Sequence, residues 1–140
     1  MEDIRYQELK LSGMLKGETN DCSVIAVAAA TGCGYNKAFK ALENEGRKPN
    51  RGATLTKILR ATEALRYELV PAQTILTLIM SRSVSDVVPI GTIARHIGDE
   101  GTWLAVTRSH IACVRDGVLL DWTDGRRHQV KRLFYVRKMA

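Results

Sequence analysis

The spacing of apolar residues predicts three helices in the first half of the chain. After the helix-capping residues 19–21, the alanine-rich stretch CSVIAVAAAT predicts a buried helix that begins at or beside Cys22 and stops at Gly32. Apolar positions with helical spacing predict a second helix over residues 35–46. The same spacing after Thr54, itself a good capping residue, predicts a third.

The pattern is weaker at the N-terminus and around the middle of the chain. Residues 1–18 have no clean period, and Gly13 and Gly17 interrupt any helix there, so we expect a short strand or an arm. Residues 67–70 favour a strand, and residues 90–97 favour one or two helical turns. The apolar run TILTLIM between them fits either type of element.

From Gly101 onwards, short apolar runs typical of strands replace the helical pattern: TWLAVTR, HIACVR, VLLDW and QVKRLFYV. An Asp-Gly dipeptide between the second and third runs is the strongest short signal for a hairpin. Helices followed by an antiparallel sheet predict an α+β domain, and the length is that of one domain spanning residues 1–140.

The net positive charge of the chain adds nucleic acid to the possible partners. Lysine and arginine total 21 against 15 acids, a formal charge of +6, which permits binding to nucleic acid through counterion release. The basic residues are dispersed, and 6% of residues are aromatic, so nucleic acid is the weaker alternative as a partner. No apolar run reaches the length of a membrane span, and the charged N-terminus does not resemble a signal peptide, so we expect an intracellular protein.

Three cysteines, an odd number in a chain without export signals, favour free thiols over a disulfide framework. Cys22 differs from the other two because it lies in the first turn of a predicted helix. Unpaired backbone N–H groups and the positive end of the helix dipole favour a thiolate there. The alternative is a small buried hydrophobic residue, which is how we interpret Cys33, in a turn, and Cys113, on a strand.

The Asp-Gly turn sets the register of the hairpin. With those two residues as the loop, Cys113 faces Leu120 across the strands. Ala112 then faces Asp121, and His110 lies diagonally from Asp121 on the same side, within reach of its carboxylate. That side is predicted to be the polar face of an otherwise apolar hairpin. The residues assigned to the opposite face are Ile111, Cys113, Leu120 and Trp122.

Cysteine, histidine and aspartate in this order predict a nucleophilic site. His110 would take the proton of the Cys22 thiol and later protonate the leaving group, while Asp121 fixes the imidazole tautomer. Asn20 or the backbone N–H of Cys22 would donate to a developing oxyanion. A bulge in the turn would move Asp121 to the wrong face and make Asp124 the acid instead.

This arrangement resembles the papain-like cysteine peptidase fold, including the double-glycine and other small bacterial thiol peptidases. More closely, three segments are similar to a family of small bacteriophage proteins with a cysteine-peptidase-like fold. These segments are TNDCSVIAVAAATG, GRKPNRG and GTWLAVTRSHIACVRDGVLLDWTDG, and they cover roughly half of the chain. The resemblance implies a fold in which N-terminal helices pack on a C-terminal antiparallel sheet.

The resemblance also implies site residues and a reaction. It implies Cys22, His110 and Asp121 as a catalytic triad that cleaves a peptide or isopeptide bond through an acyl-thioester. Trp122 is similar in place to the tryptophan that shields the third catalytic residue of papain-like enzymes. A protein or peptide substrate, in the cytoplasm of an infected host cell or associated with the virion, follows from the phage family.

Two positions depart from the papain-like pattern. The glutamine that usually precedes the cysteine by five or six residues is replaced here by Gly17 and Lys16, which leaves Asn20 as the nearby amide. Ser23 follows the cysteine in place of an aromatic residue. These departures are compatible with an oxyanion site rebuilt from another loop, for example around Gln7, or with a site that has lost its function.

The remaining polar candidates predict little chemistry. His96 and His128 are interpreted as exposed surface residues that join no cluster. The loop of residues 46–52 is interpreted as a basic loop near the cleft, or as an ordinary solvated loop. Glycine spacing matches no nucleotide-binding fingerprint, and no cysteines have metal-ligand spacing, so the sequence predicts no cofactor and no metal.

Three hypotheses for function therefore stand beside each other. The first is a phage-encoded thiol hydrolase with the triad named above. The second is a catalytically idle fold that binds or inhibits a host protein. The third is a basic protein associated with nucleic acid, whose affinity would fall steeply with salt.

Overall fold

The helices come first and an antiparallel sheet follows, over the residues that the computed structural model describes, 3–82, 88–98, 100–121 and 128–140. The helices are α1 (Ile4–Leu15), α2 (Cys22–Thr31), α3 (Tyr35–Asn44), α4 (Leu55–Ala64), α5 (Gln73–Ser81) and α6 (Ile90–Ile97). The strands are β1 (Tyr67–Pro71), β2 (Thr102–Val106), β3 (Ile111–Arg115), β4 (Val118–Leu120) and β5 (Arg132–Lys138). The predicted α+β class is confirmed. Within the described ranges, no helix combines the length and apolarity needed to span a bilayer.

The strand or arm predicted before residue 18 was wrong, because α1 occupies that segment. Asp3 caps this helix by accepting from the backbone N–H of Arg5 at 2.8 Å. Gly13 lies inside it where the helix approaches Asp21, and a Cβ at Gly13 would lie 2.1 Å from Asp21 Oδ2. Gly17, at φ +77°, follows the end of the helix. Gly13 therefore allows a close contact and does not break the helix.

The three predicted helices of the first half are confirmed as α2, α3 and α4. α2 begins at Cys22, is buried from Ser23 to Thr31, and ends at Gly32 in the left-handed conformation. The Thr54 side chain caps α4 by accepting from the backbone N–H of Lys57 at 3.4 Å. Local capping and spacing thus decide where these elements start and stop.

The strands form one five-stranded sheet in the order β1-β5-β2-β3-β4, antiparallel throughout. The predicted strands β1 and β2 to β5 and the helix after Pro89 are confirmed, and TILTLIM is helical, within α5. Asp116 and Gly117, both at positive φ, form the two-residue turn of the β3–β4 hairpin. The predicted register is also confirmed, since Cys113 pairs with Leu120.

Both faces of the sheet are buried, which corrects the expectation of one polar face. The α1 to α4 side holds one apolar cluster, which includes Ile111, Cys113 and Leu120. A second cluster, with α5 and α6, covers Val114 and Leu119 on the other side. His110 and Asp121 belong to neither apolar cluster, because they flank β3 and β4 and lie outside both strands. The polar site is therefore at one end of the hairpin and not along a face.

Candidate active site

Cys22 is the first residue of α2, where the helix dipole and free N–H groups face the preceding loop. Its side chain is half-buried. The preceding Asp21 makes no capping bond with its side chain, so its carboxylate does not occupy the first-turn N–H groups. The start of α2 therefore offers backbone donors beside a thiol, the arrangement that the sequence predicted.

A buried polar network holds residues 18–21, which we call the thiol loop. Glu18 and Arg47, both buried, form an ion pair between Oε1 and Nη2. Arg47 Nη2 also donates to the Asn20 carbonyl oxygen at 3.0 Å. The Asn50 backbone N–H donates to Glu18 Oε2 at 3.0 Å, and Asn50 Oδ1 accepts from the Thr19 N–H at 2.9 Å. The loop of residues 46–52 thus fixes the backbone immediately before the thiol.

Arg47 was missed as a positioning residue, since the sequence indicated only a basic loop near the cleft or a solvated one. The loop contains both kinds of residue: Lys48 and Arg51 are exposed, while Arg47 is 4% exposed. A composition pattern cannot separate one buried arginine from exposed neighbours, because the difference depends on the distant Glu18.

Asp21 anchors the start of α2 sideways, to α1 and α3. It is buried, accepts from Tyr35 Oη at 2.9 Å, and lies 3.8 Å from Lys10 Nζ. Burial, with the bond to Asp21, raises the pKa of Tyr35 well above its ordinary value, so the phenol stays a donor. Close packing of Gly13 against the same carboxylate completes this anchor.

His110 closes the turn between β2 and β3, residues 107–110, which we call the histidine turn. Thr107 Oγ1 accepts from the His110 N–H at 2.9 Å and donates to its carbonyl oxygen at 3.0 Å. At the other end of the β3–β4 hairpin sequence, Asp121 directly follows β4 and is 4% exposed. His110 Nε2 and Asp121 Oδ2 are 2.8 Å apart. The predicted contact between these two side chains is therefore present.

The electrostatic environment of His110 couples it to both partners. Burial lowers the pKa of His110, but hydrogen bonds to Asp121 and Cys22 outweigh that effect and raise it to about 9. With Nε2 bonded to the carboxylate, Nδ1 is the ring nitrogen left for the thiol. The imidazole thus interacts with both an acid and a thiol, and these interactions favour its protonated form.

A second histidine packs against His110, which corrects the interpretation of His128 as an exposed residue in no cluster. The two rings meet edge to face with centroids 5.0 Å apart. His128 Nδ1 is buried and has no hydrogen-bond partner among the described residues. No sequence pattern indicates this contact, because the two residues lie far apart in the chain and each lies outside the strands. His96 is exposed, as expected.

Two cavities open on the thiol and the imidazole. The first cavity, about 440 Å³, is lined by Tyr6, Lys10, Asn20, Cys22, His110 and Asp121, among others. The second cavity, about 700 Å³, also touches Cys22 and His110 and extends along α4 and the start of β5. Cys22 and His110 therefore line both cavities.

The other predicted site residues divide into three groups. Asn20 is exposed and lines both cavities, so its side-chain amide is available to a ligand. Gln7 is exposed on α1 and is not among the described residues that line either cavity. Trp122 and Asp124 lie outside the described residues. In the described ranges, no group of three or more histidine, cysteine or acidic side chains is placed to hold a metal.

The other two cysteines lie away from this arrangement. Cys33 is half-buried between α2 and α3, and its Sγ lies 3.4 Å from the Gly34 carbonyl oxygen. Cys113 is fully buried in the cluster under α2, as predicted, and burial raises the pKa of its thiol to about 12. The reactivity of Cys22 can therefore be compared, within one protein, with that of the buried Cys113 and of the half-buried Cys33.

Comparison with known proteins yields no assignment. The chain matches no family model, and neither curated proteins nor solved structures give a significant match. A functional interpretation therefore has to come from the geometry of the site.

Proposed function

We propose that this protein is a papain-like thiol hydrolase that cleaves a peptide or isopeptide bond. One observation carries the proposal: a single imidazole, His110, contacts the Asp121 carboxylate at 2.8 Å, lines the same two cavities as Cys22, and interacts with its thiol strongly enough to raise the pKa of the ring. The thiol opens a buried helix, and the acid and base flank the strands packed on it. A nucleophile, a base and an orienting acid in contact are what covalent acyl transfer needs.

Each residue has a defined task in the proposed reaction. His110 takes the proton of the Cys22 thiol, and the sulfur attacks the substrate carbonyl carbon. The oxyanion accepts hydrogen bonds from the Cys22 backbone N–H and the Asn20 amide. His110 then protonates the departing amine as the C–N bond breaks, which leaves an acyl-thioester. Water, deprotonated by His110, hydrolyses the thioester and regenerates the thiol.

The supporting residues are consistent with this assignment. The side chain of Asp121 is 5% exposed and contacts the imidazole at Nε2, which leaves Nδ1 as the ring nitrogen for the proposed proton transfer. The buried network around Arg47 fixes the loop that carries the proposed oxyanion donors. Under this proposal the substrate is a protein or peptide of the phage or its host, as the resemblance to phage proteins implies.

The experiment is site-resolved alkylation with iodoacetamide, read by mass spectrometry of peptides that contain each cysteine. Cys22 is expected to react much faster than Cys33 and Cys113 in the native protein, and His110→Ala is expected to remove that preference. Cys113 reports folding in every variant, because its buried thiol reacts only after unfolding. Glu63→Ala, an exposed change on α4 that lines neither cavity, is the matched control.

Two results would contradict the proposal. One is a Cys22 rate equal to that of Cys33 in the folded protein. The other is a fast Cys22 whose rate does not change in His110→Ala. Either result would favour the idle fold that binds a host protein, whose complexes would persist in Cys22→Ala.

A further inference from the structure

We propose that the second cavity binds an acidic segment of the peptide substrate, an inference that rests on the proposed function and specifies its substrate class. The cavity begins at the thiol and imidazole and extends between α4 and the start of β5. Whatever occupies it therefore lies directly beside the reacting atoms. The charge of its walls decides which occupant is favoured.

Three cations line the second cavity without an acidic partner among the described residues: Arg108, Lys131 and Arg132. All three are exposed. Their backbone positions are fixed next to each other, because Val106 pairs with Arg132 and accepts from the Lys131 N–H at 2.8 Å. Arg108 follows in the histidine turn. The described lining contains no carboxylate, so the net field in this cavity is positive.

The first cavity has the opposite balance. Its lining includes the carboxylates of Asp21 and Asp121, and its one lysine, Lys10, lies 3.8 Å from Asp21. Among the described residues, unpaired positive charge therefore lines the second cavity and not the first. Selectivity for an acidic side chain or a terminal carboxylate is expected on the side of the second cavity.

A buried hydroxyl gives a second, independent indication of a ligand. Ser23, next to Cys22, is 1% exposed, lines the second cavity, and its Oγ has no hydrogen-bond partner among the described residues. An unpartnered buried hydroxyl is costly unless a ligand or water satisfies it. A peptide carbonyl or carboxylate beside the thiol would accept its hydrogen bond.

A peptide fits this cavity better than a nucleic acid. Apart from the imidazole of His110, no aromatic ring is among its described lining residues, so bases have no surface on which to stack. A volume of about 700 Å³ holds a few peptide residues but not a duplex. The hydroxyls of Thr54 and Thr56 add hydrogen-bonding groups suited to a polar side chain.

The test compares an anionic and a neutral reagent at the same thiol. Rates of Cys22 alkylation by iodoacetate and iodoacetamide are measured in the wild type and in the triple variant Arg108→Gln, Lys131→Gln, Arg132→Gln. The iodoacetate-to-iodoacetamide rate ratio is expected to fall roughly fivefold in the variant at low salt, and less at high salt. The matched control removes three exposed cations elsewhere, Lys37→Gln, Arg60→Gln, Lys138→Gln, and is expected to keep the wild-type ratio.

A second arm identifies the occupant. A short glutamate-rich peptide is expected to slow iodoacetamide labelling of Cys22, and a glycine-serine peptide of equal length is expected not to. Stronger protection by a single-stranded oligonucleotide of the same charge would overturn the peptide assignment.

Failure of this inference is distinguishable from failure of the proposed function. If Cys22 is selectively reactive but the rate ratio is the same in both triple variants and the wild type, the acidic preference is wrong and the thiol hydrolase stands. If Cys22 reacts no faster than Cys33 with either reagent, the hydrolase proposal fails and this inference fails with it. The slow reaction of Cys113 confirms that each variant is folded.

Discussion

The thiol and the imidazole are positioned by supports of different kinds. The thiol loop is held by a buried ion pair and hydrogen bonds to residues 29 and 32 positions away in sequence. The histidine turn is held by Thr107, three positions away, and by Asp121, eleven positions away. The thiol and the imidazole, which have to lie close together, are thus positioned by contacts that differ in sequence separation.

Because of this difference, we expect substitutions at the two supports to affect different properties, namely the stability of the fold and the reactivity of the thiol. A buried charge is destabilising unless its partner is present. Because the partners of the thiol loop are distant in sequence, the ion pair and hydrogen bonds that hold this loop depend on the fold of the whole domain. The support of the imidazole is local, and its hydrogen bonds form whenever the β2–β3–β4 segment forms. We therefore expect changes in the thiol support to unfold the protein, and changes in the imidazole support to alter reactivity first.

The largest effect is expected from Arg47→Met. It leaves the Glu18 carboxylate buried without its partner, and removal of one member of a buried pair costs about 3–5 kcal/mol of unfolding free energy. Urea denaturation followed by fluorescence measures the loss. The double variant Glu18→Met, Arg47→Met removes both charges and is expected to recover most of it. A loss below about 1 kcal/mol in the single variant would show that the thiol loop is not anchored by this pair.

A smaller effect is expected from the charge on His110. Its pKa is raised from 6.5 to about 9, so protonation stabilises the folded state fully below pH 6.5, and this contribution is lost as pH rises through 9. The loss is on the order of 1–2 kcal/mol, reduced by solvent screening of the partly exposed ring. The measurement is the unfolding free energy of wild type minus that of His110→Gln, from about pH 6 to about pH 10. A difference independent of pH would contradict the raised pKa.

The smallest effect on stability is expected from Thr107→Val. The substitution removes the acceptor of the His110 N–H and one of two donors to its carbonyl oxygen, since the Thr107 backbone N–H still donates there; the loss is about 1 kcal/mol. Because the imidazole loses its local support, selective labelling of Cys22 is expected to weaken while the protein stays folded. A loss as large as that of Arg47→Met would show that the imidazole support also extends to the global fold.

The same difference in range explains what the sequence could predict. The starts of α2 and α4, the Asp-Gly turn and the contact between His110 and Asp121 depend on neighbours in the chain, and the sequence predicted each of them. α1 was missed because residues 1–18 show no clean apolar period and Gly13 was expected to interrupt a helix. In the structure, Gly13 instead allows α1 to pack closely against Asp21. Likewise, the burial of Arg47 depends on Glu18, which no local pattern connects to it.

Tertiary contacts also decided the faces of the hairpin. Alternation placed His110 and Asp121 together correctly, but it indicated a polar face where the α5 and α6 side covers Val114 and Leu119. The alternation of apolar and polar residues along a strand does not show whether helices from elsewhere in the chain pack on one of its faces. The contact of His128 with His110 was missed for the same reason.

The position of β5 has a consequence for how the protein is made. β5 is synthesised after the other described strands, yet it lies inside the sheet, between β1 and β2. A nascent chain that stops before residue 132 contains Cys22, His110 and Asp121, but β1 has no strand to join it to the rest of the sheet. Cys22 is therefore synthesised long before the sheet around it can be completed. A ribosome stalled ahead of β5 should carry a Cys22 thiol with the reactivity of an ordinary cysteine.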